Sequence, residues 1–223
     1  MNRIKNSLRH AYLPAASSEH PGSFQGYTFQ TDTPIEQMSQ DFARELQALS
    51  GHVHILEDTE SVAAVILEIL KRHQAEQIIA WDETGLGVPW LRGALAEAAI
   101  TVVDNHLAVD AEGRRACLSA LDGVLVGLTG AQGGLADTGS LALVSGPGRG
   151  RLASLLPPVH IALLPLHRLY PSLPAFLAAN PTAATAGSNL VFITGPSRTA
   201  DIELTLSMGV HGPKEIHAII FPG

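Results

Sequence analysis

At 223 residues, 46% hydrophobic and 16% charged, the chain has the composition of a soluble globular protein that can bury a sizeable core. A net charge of −7 argues against a nucleic-acid binder, which needs a basic face to displace counterions, and no run of about twenty apolar residues is present to span a membrane. The one cysteine, Cys117, excludes an intrachain disulfide and any zinc or iron–sulfur site built on cysteine; with no secretory leader in MNRIKNSLRHAYLP, a cytoplasmic setting is expected.

Residues 1–33, rich in Pro, Ser, Gly and Thr over 14–33, read as an N-terminal arm ahead of a single domain at 34–223. Ile35, Met38, Phe42, Leu46 and Leu49 step by three and four, which predicts a helix capped by Thr33, opened by Pro34 and closed at Gly51. HVHIL (52–56) reads as a strand, and Asp58 or Thr59 caps a second helix running to about His73. EQIIAW (76–81) is a strand, 88–99 a helix, ITVVD (100–104) a strand and 110–118 a short helix. Further runs of strand length follow at 123–129, 140–145, 160–165, 189–194 and 215–221, with a helix expected over 198–208 and ended by Gly209. Near-continuous Val, Ile and Leu in these strands means burial on both faces. The fold class is therefore α/β, a largely parallel sheet with helices on both faces, and 121–170, poor in helix, supplies an antiparallel excursion or an edge.

Three glycine-rich bends carry the candidate chemistry. Asp137-Thr138-Gly139-Ser140 has the look of an aspartic-protease turn, but those enzymes need two such aspartates on all-β halves, and this chain has one copy among alternating helices and strands. Two readings of that turn remain: a tight bend before a strand, or exposed amides that cradle a ligand with Asp137 as a weak candidate base. Gly146-Pro147-Gly148-Arg149-Gly150-Arg151 fits neither a Walker A loop nor a dinucleotide fingerprint; it sets Arg149 and Arg151, whose planar forks suit carboxylate or phosphate, on flexible backbone. Gly195-Pro196-Ser197-Arg198-Thr199, read as a strand running into a helix with Asp201 in its first turn, would turn free N–H groups toward an anion. His211, in Gly209–Pro213, is a weak candidate proton carrier. His52 and His54 share one strand face and Asp104 and His106 repeat the step; neither pair has a third ligand in sequence, so no metal is expected and these side chains are read as facing solvent.

Taken together, GLADTGSLALVSGPGRGRLASLLPPVHIALLP and FITGPSRTADIELTLSMGVHGPKEIHAIIF resemble the lactate utilization protein C family, the LUD domain, over about residues 120–221. The resemblance implies a fold like the ribose-5-phosphate isomerase, glucosamine-6-phosphate deaminase and CoA-transferase group. It implies a part in oxidising L-lactate to pyruvate beside iron–sulfur partner proteins, with the clusters on those partners and no cofactor in this chain. The family usually carries Glu where this chain has Asp137, a shorter carboxylate that weakens a precise acid–base role. The expected pocket binds a small anionic ligand among Thr138, Gly139, Ser140, Arg149, Arg151, Gly195, Pro196, Ser197, Arg198, Thr199 and Asp201. The alternatives are a non-catalytic assembly subunit for the iron–sulfur partners, and an isomerase or transferase of the same fold group.

Overall fold

The structure, a computed structural model, describes residues 33–104, 110–200, 206–208 and 212–223; all but Thr33 of the expected arm lies outside them. The elements follow in chain order as helix α1 (Ile35–Ala48), strand β1 (His52–Ile55), α2 (Ser61–Arg72), β2 (Gln77–Ala80), α3 (Glu83–Leu86), α4 (Leu91–Glu97), β3 (Thr101–Val103) and α5 (Ala111–Leu121). After these come β4 (Val126–Gly130), β5 (Gly133–Leu135), β6 (Ser140–Ser145), α6 (Leu152–Leu155), β7 (Val159–Pro165), β8 (Leu169–Tyr170), α7 (Leu173–Ala179), β9 (Asn189–Ile193), β10 (Arg198–Ala200), β11 (Leu206–Met208) and β12 (Glu215–Phe221). Each apolar run read as a strand forms one, with ends moved by a few residues. The short elements α3, α6, α7, β5 and β8 carry no period long enough to be read in advance.

The main sheet has six parallel strands in the order β1-β12-β7-β4-β2-β3. Every residue of β4 and β7 is buried, the two-sided burial expected of largely apolar strands; the polar exceptions, Thr129 and His160, bond each other. Register fixes the faces. His217 pairs with Ile161 and Ile161 with Leu128, so these three share one face, while Gly127 and His160 point to the other. The first face meets the end of α2, where His73 reaches Glu215, and α4 packs beside α2. On the second face α6 lies against Gly127, and Phe42 of α1 and Leu164 of β7 both flank Gly134. Connections from β1 to β2 and from β2 to β3 run one way across the sheet; those from β4 to β7 and from β7 to β12 run the other. A single crossover hand then requires opposite faces for the two sets.

The stretch between β4 and β9 forms the excursion expected of it, a mixed sheet in the order β8-β5-β6-β9. Its own small core is Leu135, Ala142, Val144, Phe176 and Ala183, with Phe176 edge-on to Tyr170 at 5.3 Å and to Phe192 at 5.8 Å.

Two local expectations are corrected. At the start of α1, Pro34 occupies the cap position itself and accepts from the Met38 amide, leaving Thr33 outside the helix; at its end Ser50, not Gly51, adopts the left-handed conformation at φ 69°. Gly51 is needed for room, because a side chain there would run into Leu46. The helix expected over 198–208 is a β-hairpin at both described ends: Arg198 pairs with Met208, Thr199 with Ser207 and Ala200 with Leu206, and 201–205 lie outside the described residues. The β-branched Thr199, Ile202 and Thr205 resist helical rotamers, and the Ser197 amide already donates to the Pro213 carbonyl at 2.8 Å. The bend therefore runs strand to strand and has no helix N-terminus to offer an anion.

Candidate functional site

Two of the three glycine bends meet, at the C-terminal end of α1. Thr138 Oγ1 lies 2.8 Å from Ser140 Oγ, which lies 2.7 Å from Thr194 Oγ1, a chain of three hydroxyls joining the ends of β6 and β9. Gly139, at φ 62°, presses against the Leu46 main chain, and Gly195, at φ 93°, sits against Leu49; no side chain has room at the first, and both backbones favour glycine. Arg198 closes the cluster by donating from Nη2 to the Leu49 carbonyl at 2.6 Å and to Ser50 Oγ at 3.3 Å. A guanidinium at a helix C-terminus opposes the helix dipole and takes up an orphan carbonyl. Arg198→Ala is accordingly expected to lower stability by about 0.5–1 kcal/mol, read as a shift of the urea midpoint. Asp137 stands exposed at the turn; crowding by the surrounding chain still pushes its carboxyl pKa up, opposed by the bond from Thr138. Pro196 is buried, whereas the Thr199 side chain, Asp201 and His211 lie outside the described residues.

The third bend lies at the other end of β6. Ser140 opens that strand and Ser145 closes it, which sets the two bends about 17 Å apart. One small anion therefore does not touch both Arg149 and the Thr138–Ser140 turn. Instead, Gly146–Arg151 folds over the carboxyl ends of β2 and β4: the Gly148 carbonyl accepts from the Asp82 amide at 2.9 Å, and that of Gly150 from the buried Trp81 indole at 3.0 Å. Asp82 Oδ1 caps α3 through the Gly85 amide at 2.7 Å and takes the Thr84 hydroxyl at 2.9 Å, while Oδ2 lies beside Gly148. Gly130, at the end of β4, rests on the Gly85 carbonyl, and the Arg149 stem crosses Gly85.

This is a distinctive place in the sheet. The chain leaves β2 toward β3 and leaves β4 toward β7, in opposite directions from adjacent strands, so their carboxyl ends form a topological switch point, where open α/β sheets bind ligands. Arg149 is half-buried there, with no ion-pair partner among the described residues, and Arg151 is exposed at the start of α6. Sequence reading missed Asp82 and Thr194. Asp82 was recoverable from Asp82-Glu83-Thr84-Gly85 directly after a strand, a capping pattern; Thr194 had no signal apart from pairing across the second sheet. Two surface hollows, of about 320 and 200 Å³, lie around Gln74–Glu76 at the amino end of β2 and include none of the expected site residues.

Comparison with known proteins bears on this geometry. A family model described as the LUD domain matches residues 39–221. A lactate utilization protein C of Geobacillus sp. is 31% identical over 203 residues, 88% of this chain and 80% of that one. Another, of Halalkalibacterium halodurans, is 34% identical over 149 residues, 65% of this chain; the match spans only 62% of that relative's length. Among solved structures, a DUF162 family protein from Deinococcus radiodurans superposes with a TM-score of 0.61 at 18% identity, covering 85% of this chain and 99% of that one, a likeness of fold.

Proposed function

This chain belongs to the LUD domain family, and from that membership we propose that it serves lactate utilization, as a cytoplasmic component of a system that oxidises L-lactate to pyruvate. Relatives named for lactate utilization support the role; in this reading the iron–sulfur clusters would reside on partner proteins. Its own contribution is to hold a small carboxylate at the switch point between β2 and β4. The single observation carrying this reading is Arg149, half-buried on a glycine loop at the carboxyl ends of the central strands with no ion-pair partner among the described residues. A guanidinium fork meets a carboxylate with two parallel hydrogen bonds, and Arg151, two residues on, adds a second positive charge.

A charge-assisted contact of this kind contributes roughly 1.5–3 kcal/mol net, which is about 10- to 100-fold in affinity. Calorimetry with L-lactate and pyruvate is expected to show binding that Arg149→Ala weakens by about that factor, and Arg151→Ala by less, with melting temperatures unchanged. Equal affinity in the wild type and both variants would discard the switch-point site.

One observation favours a second reading, that of an assembly subunit for the iron–sulfur partners. Leu155 and Leu156, each 45% exposed, stand directly beyond Arg151. If the isolated chain binds neither anion yet co-purifies with an iron–sulfur partner, and Leu155→Ser with Leu156→Ser abolishes the capture, the docking role replaces the binding one.

A further inference from the structure

At the amino end of the main sheet, remote from the switch point, β1, β12 and the end of α2 bring three imidazoles around one carboxylate, with a fourth behind them. His52 opens β1, Glu215 opens β12, His217 pairs in register with His52, and His73 follows the last turn of α2. Alternation puts His52, His54, Glu215 and His217 on one face of the two strands. His54, expected to face solvent, is half-buried, its Nε2 3.1 Å from His217 Nδ1. Ligand atoms of His52, Glu215 and His217 all lie within 4.8 Å of one another: His217 Nε2 is 2.8 Å from Glu215 Oε1, and His52 Nε2 is 3.7 Å from the same oxygen.

We propose that His52, Glu215 and His217 form a binding site for a borderline divalent metal ion, with zinc as the best match. Around a tetrahedral zinc, nitrogen and oxygen ligands at about 2.0–2.1 Å stand roughly 3.3 Å apart, between the 2.8 and 3.7 Å that separate Glu215 Oε1 from the Nε2 atoms of His217 and His52. The His52 and His217 rings stack at 4.6 Å, 17° from parallel, so the exposed His52 ring has to turn to bring its nitrogen onto the ion. Two nitrogens and one oxygen select zinc, cobalt or nickel over magnesium or calcium, which prefer all-oxygen sets. The outer contacts are those a metal site uses to orient its ligands. With His217 Nε2 on the metal, its Nδ1–H donates to His54 Nε2. Glu215 binds through Oε1, and Oε2 faces His73 Nε2, a buried nitrogen that lies 3.4 Å away and makes no hydrogen bond in the metal-free arrangement. His217 has no exposed surface, so an ion held there is reached from the His52 side. Three protein ligands leave a fourth position to water, on the side where His52 is 49% exposed. The ion would tie the edge strand β1 to β12.

The competing state is a metal-free chain in which His217 Nε2–H donates to Glu215 and Nδ1 accepts from His54. The full chain, free of any affinity tag and stripped with chelator, is titrated with Zn²⁺ by calorimetry and with Co²⁺ by visible absorption, beside His52→Ala and Glu215→Gln. His52 is exposed, so its variant keeps the fold even if the Glu215 variant does not. The expected result is one equivalent bound, a tetrahedral Co²⁺ spectrum, no competition by Mg²⁺, and affinity at least about tenfold lower in His52→Ala. Absence of binding, or binding undiminished in His52→Ala, overturns the site and leaves the hydrogen-bonded chain.

Discussion

Replacing Gly127 with alanine is expected to lower the stability of the fold by about 3 kcal/mol and its melting temperature by on the order of 10 °C. Gly127 is the second residue of β4, in the middle of the parallel sheet, and a methyl group there would overlap the Ala153 carbonyl oxygen and touch the Pro157 ring. What it strikes is main chain. A flexible side chain would swing aside, but Ala153 is fully buried in α6, whose turn is held by the Leu156 amide on the Leu152 carbonyl, so the helix has to move off the sheet. Since α6 directly follows the Gly146–Arg151 loop, that displacement also disturbs Arg149 at the switch point. Thermal and urea denaturation measure the effect, and Gly93→Ala provides the contrast. In α4 nothing lies within 4 Å of the added methyl, and removing a helical glycine is expected to stabilise by about 0.5–1 kcal/mol. A Gly127→Ala protein as stable as the wild type would mean that α6 does not rest on β4 as described.

Why Gly127 matters was invisible in the sequence, although the strand containing it was not. GVLVGLT reads as a buried strand from its apolar run; which residue meets a helix depends on register, which local pattern does not encode. The main sheet was legible for the same reason: strands covered on both faces leave near-continuous apolar runs, as in HIALLP and EIHAIIF, each with one buried histidine. The hairpin at 198–208 was misread because Ser197, Asp201 and Glu203 mimic a helix cap and first turn, and the competing signal, β-branched spacing, is weaker than cap chemistry. The bends were recognised as bends. Their positions were not, because Thr138 and Arg149 are close in sequence yet separated by the full length of β6, while Ser140 and Thr194 are far apart in sequence and joined by one hydrogen bond. His52 and His54 looked like a solvated strand end for a related reason: their companions Glu215 and His217 arrive from the last strand of the chain. Proximity across a sheet is a property of strand order, and the order here runs against sequence order.

Acid is expected to destabilise this fold across the range from pH 6.5 down to 4, by on the order of 3 kcal/mol through His160 alone. His160 lies in β7 with no exposed surface; its Nε2 meets Thr129 Oγ1 at 2.9 Å and its Nδ1 has no partner. Burial, with a smaller contribution from the neighbouring His217, depresses its pKa from 6.5 to about 4. The sign follows from proton binding. In the unfolded chain the imidazole takes up a proton near pH 6.5, whereas in the folded chain it refuses one until about pH 4. Between those values the unfolded state binds more protons, so stability falls as pH falls; the contribution is fully present above the unfolded pKa and gone below the folded one. His217, lowered to about 4 with burial as the main cause, shifts the loss in the same direction. Urea unfolding at steps between pH 7 and pH 4, with chelator present, should show the drop, and His160→Gln should flatten it. A glutamine amide still reaches Thr129 but carries no titrating proton, so the variant is expected to be weaker at pH 7, having lost the packing of the ring, and less sensitive to acid. Equal pH slopes in the two proteins would place the acid-sensitive group elsewhere.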